Sequence, residues 1–412
     1  GNNGPDQITG NAGSDTLDGS AGNDTYFFAG NTWGTDTLTD ISGSDTLNFT
    51  AATDNLTFNI NLATLGVTGG ANSLSVAANN IEDLLGGTGN DSFVFANNAQ
   101  LVGAAPGTFI DGGLGNNTLD YAAYTTAVSV NLFAGTATAV NELAGVPQVG
   151  GIIRIQNVIG GALTNEIWGD NNNNILVSGT TNDNLHGLGG NDTYVFYDTW
   201  GTDFVFDTSG NDTLTFVNLT TGVTFTFNLG SAVITDGLGS TVTTDGNVEN
   251  FIGSAQNDLF AFQPGASVAG NVDGGAGHDI LDFSAITVAR NVVLQNVGTN
   301  NGFKGTVNGI GGTFDNLNEI QASTAPTDSL TGRNASAAFN LGATDQYVSV
   351  NTLDFSSFEN LIGGNDVDIF NLSTNHSQNL AGGLGADGFV FTGGAVLTGT
   401  VNGNGGLDAL DF

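Results

Sequence analysis

Aspartate recurs every nine residues at the start of this sequence, at Asp6, Asp15 and Asp24. Each has glycine five and two residues before it and a large side chain, Ile8, Leu17 or Tyr26, two residues after it. Six residues drawn mainly from Gly, Asn, Ser and Asp turn sharply, because glycine takes φ > 0 at no steric cost and Asx side chains bond their own backbone. The next three make a short strand whose middle side chain points inward while its neighbours point out. Two such units form one flattened coil, and stacked coils pair in parallel at about 4.8 Å. Turns 18 residues apart then share an edge, which sets Asp6 above Asp24 and Asp15 on the opposite edge. Carboxylates from neighbouring turns, with the carbonyls that glycines leave open, make an oxygen-rich cage suited to a hard cation such as Ca²⁺. The plainer alternative is an Asx turn that holds no metal.

The unit resembles the calcium-binding nonapeptide of the RTX family, and the very long bacterial surface proteins and adhesins that carry such repeats. The resemblance implies a β-roll with Ca²⁺ in its turn loops. Isolated units place further candidate metal ligands at Asp91, Asp258, Asp279, Asp368, Asp387 and Asp408, where a lone loop lacks the partner turn that would complete a cage. A second tandem run, 160 to 195, keeps the inward row Ile167, Leu176, Leu185 and Tyr194 but has Asn165 and Asn174 at the sixth position before Asp183 and Asp192. Calcium is therefore expected at Asp183 and Asp192, and stacked amides at the asparagines.

A longer repeat positions these loops. Trp33-Gly-Thr-Asp recurs as Trp200-Gly-Thr-Asp, and Ile81-Glu-Asp-Leu-Leu-Gly as Val248-Glu-Asn-Phe-Ile-Gly, both 167 residues on. A shorter third copy runs from Phe358-Glu-Asn-Leu-Ile-Gly. Between the tandem runs, alternating segments such as Leu56 to Leu62 and Val128 to Leu132 read as strands with one buried face. Their spacing is too wide for nine-residue rungs, which predicts larger parallel coils there. The expected fold is all-β: a right-handed parallel β-helix or β-roll solenoid with degenerate long repeats. It divides into 1–159 (β-roll rungs 1–27, then wider coils), 160–325 (β-roll-like rungs 160–195, then wider coils) and a partial copy, 326–412, in one continuous solenoid. The opening in repeat register and the stop inside a repeat suggest a segment of something longer.

Composition narrows the function. Among 412 residues there are 64 Gly, no Cys, 40 Asp+Glu and 4 Lys+Arg, for a net charge of −36. With only Arg154, Arg290, Lys304 and Arg333 as cations, the carboxylates must be neutralised by bound metal or by solvent counterions. Such a surface repels phosphate backbones and anionic lipid, and no apolar run is long enough to span a membrane. The absence of cysteine removes disulfides and thiolate metal sites. His186, His278 and His376 show no spacing that pairs them and read as solvated turn residues, with zinc binding or catalysis the minor alternative. Trp33 and Trp200 read as packing residues, although stacking on carbohydrate is another use of a repeated aromatic.

The functional expectation is a structural segment of a secreted bacterial cell-surface fibre, adhesin or filament, extracellular and stabilised by Ca²⁺. It would associate end to end or with neighbouring repeats of a longer chain. The alternative is a glycan- or receptor-binding adhesin module. The third reading, an accessory segment of a polysaccharide-modifying enzyme, is disfavoured because four scattered cations do not make the cluster needed to stabilise developing negative charge. The expectation is that the chain is not an enzyme.

Overall fold

The structure is a computed structural model that describes residues 1–77, 80–101, 109–140 and 151–412. Among the described residues every regular element is a β-strand. The nonapeptides fold as the alternation dictates. Gln7–Thr9, Thr16–Asp18 and Thr25–Phe27 are three-residue strands whose middle residue is the least exposed. Ile8 pairs in parallel with Tyr26, 18 residues on, while Leu17 on the other wall pairs with Leu38. The second tandem run repeats this, with Ile167 opposite Leu185 and Leu176 opposite Tyr194.

The chain forms two compact units, Gly1–Gly210 and Asn211–Phe412. Within the first, parallel rungs climb two walls, joined from Val128–Asn131 onward by a third, and Thr46–Asn48 on the first wall is followed directly by Asp83–Leu85. On the other wall the chain makes an antiparallel meander, Leu56–Ile60, Leu65–Gly69 and Asn72–Val76. Its last strand lies on Thr35–Thr39 and its first strand carries Ser92–Phe95, both in parallel. This widening therefore comes from an antiparallel excursion and not from a longer parallel coil, whereas farther on the coils do lengthen in parallel, as where Phe109–Asp111 lies on Asp83–Leu85 and Asn157–Ile159 on Thr118–Asp120. The reversal at Gly70 (φ 57°) needs a residue that tolerates a positive φ.

The second unit contains three such meanders. They are Thr224–Asn228 to Thr241–Thr244, Asn291–Val297 to Phe314–Leu317, and Ala337–Leu341 to Thr352–Ser356. In three of these four meanders the first strand carries a stacked aromatic onto the next parallel rung. Phe58 stacks on Phe93 at 4.6 Å, Phe225 on Phe260 at 4.5 Å, and Phe339 on Phe370 at 4.7 Å. Face-to-face stacking at this separation follows from in-register parallel pairing. Trp33 and Trp200 are buried core residues, the former set edge-on against Phe28 and Phe49.

Candidate metal centre

The sixth-position aspartates form ladders along the coil edges. The Asp6 backbone N–H donates to Asp24 Oδ1 (2.8 Å), the Asp24 N–H to Asp45 Oδ1 (2.7 Å), and the Asp45 N–H to Glu82 Oε2 (2.7 Å). On the opposite edge the Asp15 N–H donates to Asp36 Oδ1 (2.9 Å). The same link joins Asp183 to Asp203 (2.8 Å), Asp258 to Asp279 (2.9 Å), Asp368 to Asp387 (2.9 Å) and Asp387 to Asp408 (3.0 Å). In every case an amide of the earlier coil is held by a side-chain oxygen of the later one. Hydrogen bonds to a charged acceptor contribute about 1.5–3 kcal/mol each.

What the second carboxylate oxygen does divides these residues. At Asp91 both oxygens accept backbone N–H groups, from Leu56 (2.8 Å) and Gly87 (2.7 Å). Asp258 is held by Val223 and Ser254 N–H, each at 2.6 Å, and Asp183 by Asn165 N–H and Nδ2 and by Gly179 N–H. These three sites act as staples between coils. Asp6, at the first rung, accepts from its own loop through the Asn2 N–H (2.6 Å).

In the second group one oxygen is buried with no hydrogen-bond partner: Oδ2 of Asp15, Asp24, Asp36, Asp45, Asp203, Asp279 and Asp387, and Oδ1 of Asp368. The Oδ2 atoms of Asp15 and Asp36 converge on Gly10, where an added Cβ would lie 3.2 and 3.4 Å from them. At Gly19 an added Cβ would meet Asp24 Oδ2, Asp40 Oδ2 and the Tyr26 hydroxyl. Asp24, Asp40 and Asp45 are all buried and offer ligand atoms within 4.8 Å of one another. The Tyr26 hydroxyl donates to Asp40, and burial together with the nearby carboxylates pushes its pKa up. The equivalent Tyr194 hydroxyl donates to Asp207 Oδ2 at 2.5 Å.

Buried carboxylates without a cation favour their protonated form. Burial pushes Asp45 up to about 6, Glu82 to about 7, Asp279 to about 8 and Asp203 to about 9, with neighbouring carboxylates adding to each shift. Orphaned oxygens on adjacent rungs are the donor set a hard cation requires, so the first unit's opening rungs fit Ca²⁺. Asp15 with Asp36, and Asp24 with Asp40 and Asp45, are the residues that would hold it. Asp192 lies beside the Asn174 N–H, which donates to its Oδ1 at 2.7 Å.

Asparagine replaces this arrangement at the first two turns of the second run, whereas at its end Asp192, Asp207 and Asp212 repeat the buried cluster of three carboxylates. Asn165 Nδ2 donates to Asp183 Oδ1 (2.8 Å) and to the Gly161 carbonyl (3.0 Å), and Asn174 Nδ2 donates to the Gln156 carbonyl (2.9 Å). The amides pair with carboxylate and carbonyl oxygens and not with one another, which corrects the expected amide stack. Their N–H groups supply the positive end that a cation would supply elsewhere.

Asp36, Asp40, Asp45, Glu82 and Asp203 were not singled out by the nine-residue spacing. The signal available for two of them was Asp-Thr-Leu, shared by Asp15, Asp36 and Asp45 directly before an inward leucine. Asp40 has a different signal: it occupies the first position of the loop ending at Asp45, where the tandem units have glycine.

Among the cations, Arg154 pairs with Asp111 and Lys304 with Asp315 (3.1 Å), while Arg290 lies over the Phe283 ring and donates to the Asn308 carbonyl. His186 is sandwiched between Trp168 and Phe206 with Glu166 Oε1 at 3.0 Å, and His376 lies 3.8 Å from Asp345.

No curated protein is similar enough to this chain to match it. The family model of the RTX calcium-binding nonapeptide repeat matches residues 1–30, 159–195 and 197–215. These segments cover the opening rungs and the second tandem run, and over them the chain is built of RTX-type calcium-binding repeats on a parallel β-roll.

Proposed function

We propose that the chain is a structural segment of a secreted bacterial cell-surface fibre, adhesin or filament, held rigid by Ca²⁺ in its turn loops. The observation that carries this reading is the set of buried, unpartnered carboxylate oxygens on adjacent rungs at Asp15 and Asp36 and at Asp24 and Asp45. A cation there removes the repulsion between them and stabilises only the folded chain. Binding to the native state alone adds RT ln(1+[L]/Kd), about 2.7 kcal/mol per site at a hundredfold excess over Kd. Extracellular calcium modules commonly work at about 10⁻⁴–10⁻³ M, so the segment sets rigid after export into calcium.

RTX repeat proteins are typically secreted, which supports an extracellular place, and among the described residues no helix is long and apolar enough to cross a membrane. A net charge of −36 disfavours nucleic acid as a partner and favours neighbouring repeats or further copies bridged by divalent cations. The test is chelator titration followed by circular dichroism and thermal melting, with electron microscopy of the calcium-loaded material. The expected outcome is a large fall in midpoint on chelation and elongated particles with calcium. An unchanged midpoint would remove calcium from the account, and compact monomers would remove the fibre.

A further inference from the structure

His278 sits in the turn Gly274 to Asp279, and the strand that follows it, Ile280–Asp282, pairs in parallel with Glu319–Gln321, with Ile280 opposite Glu319. That strand pairs in turn with Thr352–Ser356, with Glu319 opposite Asp354. In-register parallel pairing sets outward side chains of adjacent rungs about 4.8 Å apart, so two carboxylates stand side by side on the outer wall. Like charges so placed repel. His278 reaches over them from the turn: its Nε2 lies 4.0 Å from Asp354 Oδ2, and one ligand atom from each of the three residues lies within 4.8 Å of the others.

Both carboxylates are oriented by amides. Gln321 Nε2 donates to Glu319 Oε1 (2.8 Å) and Gln346 Nε2 to Asp354 Oδ1 (2.9 Å), so each has one oxygen held and a second available to a ligand. An adjoining cleft of about 400 Å³, lined by His278, Asn318, Gln346, Asn351 and Asp354, leaves room for water. The matching rungs of the first long repeat lack the ligands. Asn116 stands at the position of His278, and Asn157, opposite Thr118, at that of Glu319.

We propose that His278, Glu319 and Asp354 form a transition-metal site of the Zn²⁺ class on the outer wall, beside the Asp279 loop and without counterpart in the first long repeat. One imidazole nitrogen and two carboxylate oxygens suit zinc, whereas Ca²⁺ prefers six to eight oxygens. Ligands at about 2.0–2.2 Å from a tetrahedral ion stand about 3.3–3.6 Å apart, so a small side-chain rotation closes the gap. Three protein ligands leave a position open to solvent or to a donor from a neighbouring molecule.

Zn²⁺ titration of the whole chain by calorimetry, with the loops saturated in Ca²⁺, tests this, and Co²⁺ absorption reports the ligand geometry. The expected result is one Zn²⁺ per chain, lost in His278→Asn and in Glu319→Asn, which install the residues of the matching repeat. Gln346→Ala weakens binding about ten- to hundredfold by releasing Asp354. His186→Asn and His376→Asn leave binding unchanged. Circular dichroism and the calcium-dependent melt confirm that each variant is folded, so failure here is distinguishable from failure of the calcium reading. The site is overturned by Zn²⁺ that binds His278→Asn as well as wild type, by loss of binding only in His376→Asn, or by no uptake in calcium-loaded wild type.

Discussion

The opening rungs and the rungs between 160 and 186 share a backbone and differ in what their turns do with charge. Near Asp15, Asp24, Asp36 and Asp45, carboxylates face one another across rungs and four buried oxygens have no partner. Near Asn165 and Asn174 an amide takes the sixth position, and its N–H groups meet Asp183 and the carbonyls of Gly161 and Gln156. One set of turns leaves carboxylate oxygens that an external cation would compensate. The other carries its own compensating dipole. The inward apolar row is common to both, so the hydrophobic stack does not account for the difference.

Removing calcium gives the largest test of this contrast. Chelation is expected to strip hydrogen-exchange protection from the strands between residues 7 and 48 while those between 165 and 186 keep theirs; equal loss in both would break the comparison. Next comes a staple that owes nothing to metal. Asp91→Ala removes two charge-assisted hydrogen bonds of about 1.5–3 kcal/mol each, and chemical denaturation should show the loss equally with and without calcium.

Exchanging the two chemistries has a smaller effect. Asp24→Asn should raise the melting point in chelator and shrink the calcium-induced rise. Asn165→Asp should do the reverse, costing about 1–3 kcal/mol in chelator through an uncompensated buried carboxylate. An Asp24→Asn variant that keeps the full calcium response would show that the ion is held elsewhere.

Acidity supplies a fourth test. Asp45, Glu82, Asp279 and Asp203 have folded-state pKa values raised from their ordinary range to about 6, 7, 8 and 9. Between the unfolded value near 4 and these values the folded chain binds more protons, so its stability falls as pH rises. Calcium-free protein should melt higher at pH 5 than at pH 8, and calcium should narrow or reverse that order. The smallest change expected is for Tyr26→Phe, which takes one hydroxyl donor from buried Asp40 and should lower the chelated midpoint slightly, read by calorimetry.

Much of the fold was legible because its period is short and rigid. Ile8, Leu17, Tyr26, Ile167, Leu176, Leu185 and Tyr194 declare the inward row by position alone, and the alternation of Leu56 to Ile60 declares a one-faced strand. The direction of the strands was not legible: nothing in the Leu65 to Val76 segment distinguishes a new parallel coil from a returning meander, because that depends on which edge the reversal at Gly70 offers. The sites were legible as turn aspartates but not as two classes. Whether a carboxylate is fully stapled, as at Asp91, or half free, as at Asp24, depends on the loop 18 to 35 residues away that donates to it. His278 illustrates the same limit, since Glu319 and Asp354 reach it only through the pairing of three rungs.

The aspartate ladder also has a polarity. In every link the amide comes from the earlier coil and the acceptor from the later one, as from Asp6 to Asp24 to Asp45 and from Asp368 to Asp387 to Asp408. A chain emerging amino end first therefore always trails one coil whose turn amide has no acceptor until the next coil arrives. A chain emerging carboxyl end first instead leaves a turn carboxylate waiting for the next amide, so the two ends of a growing stack expose opposite groups.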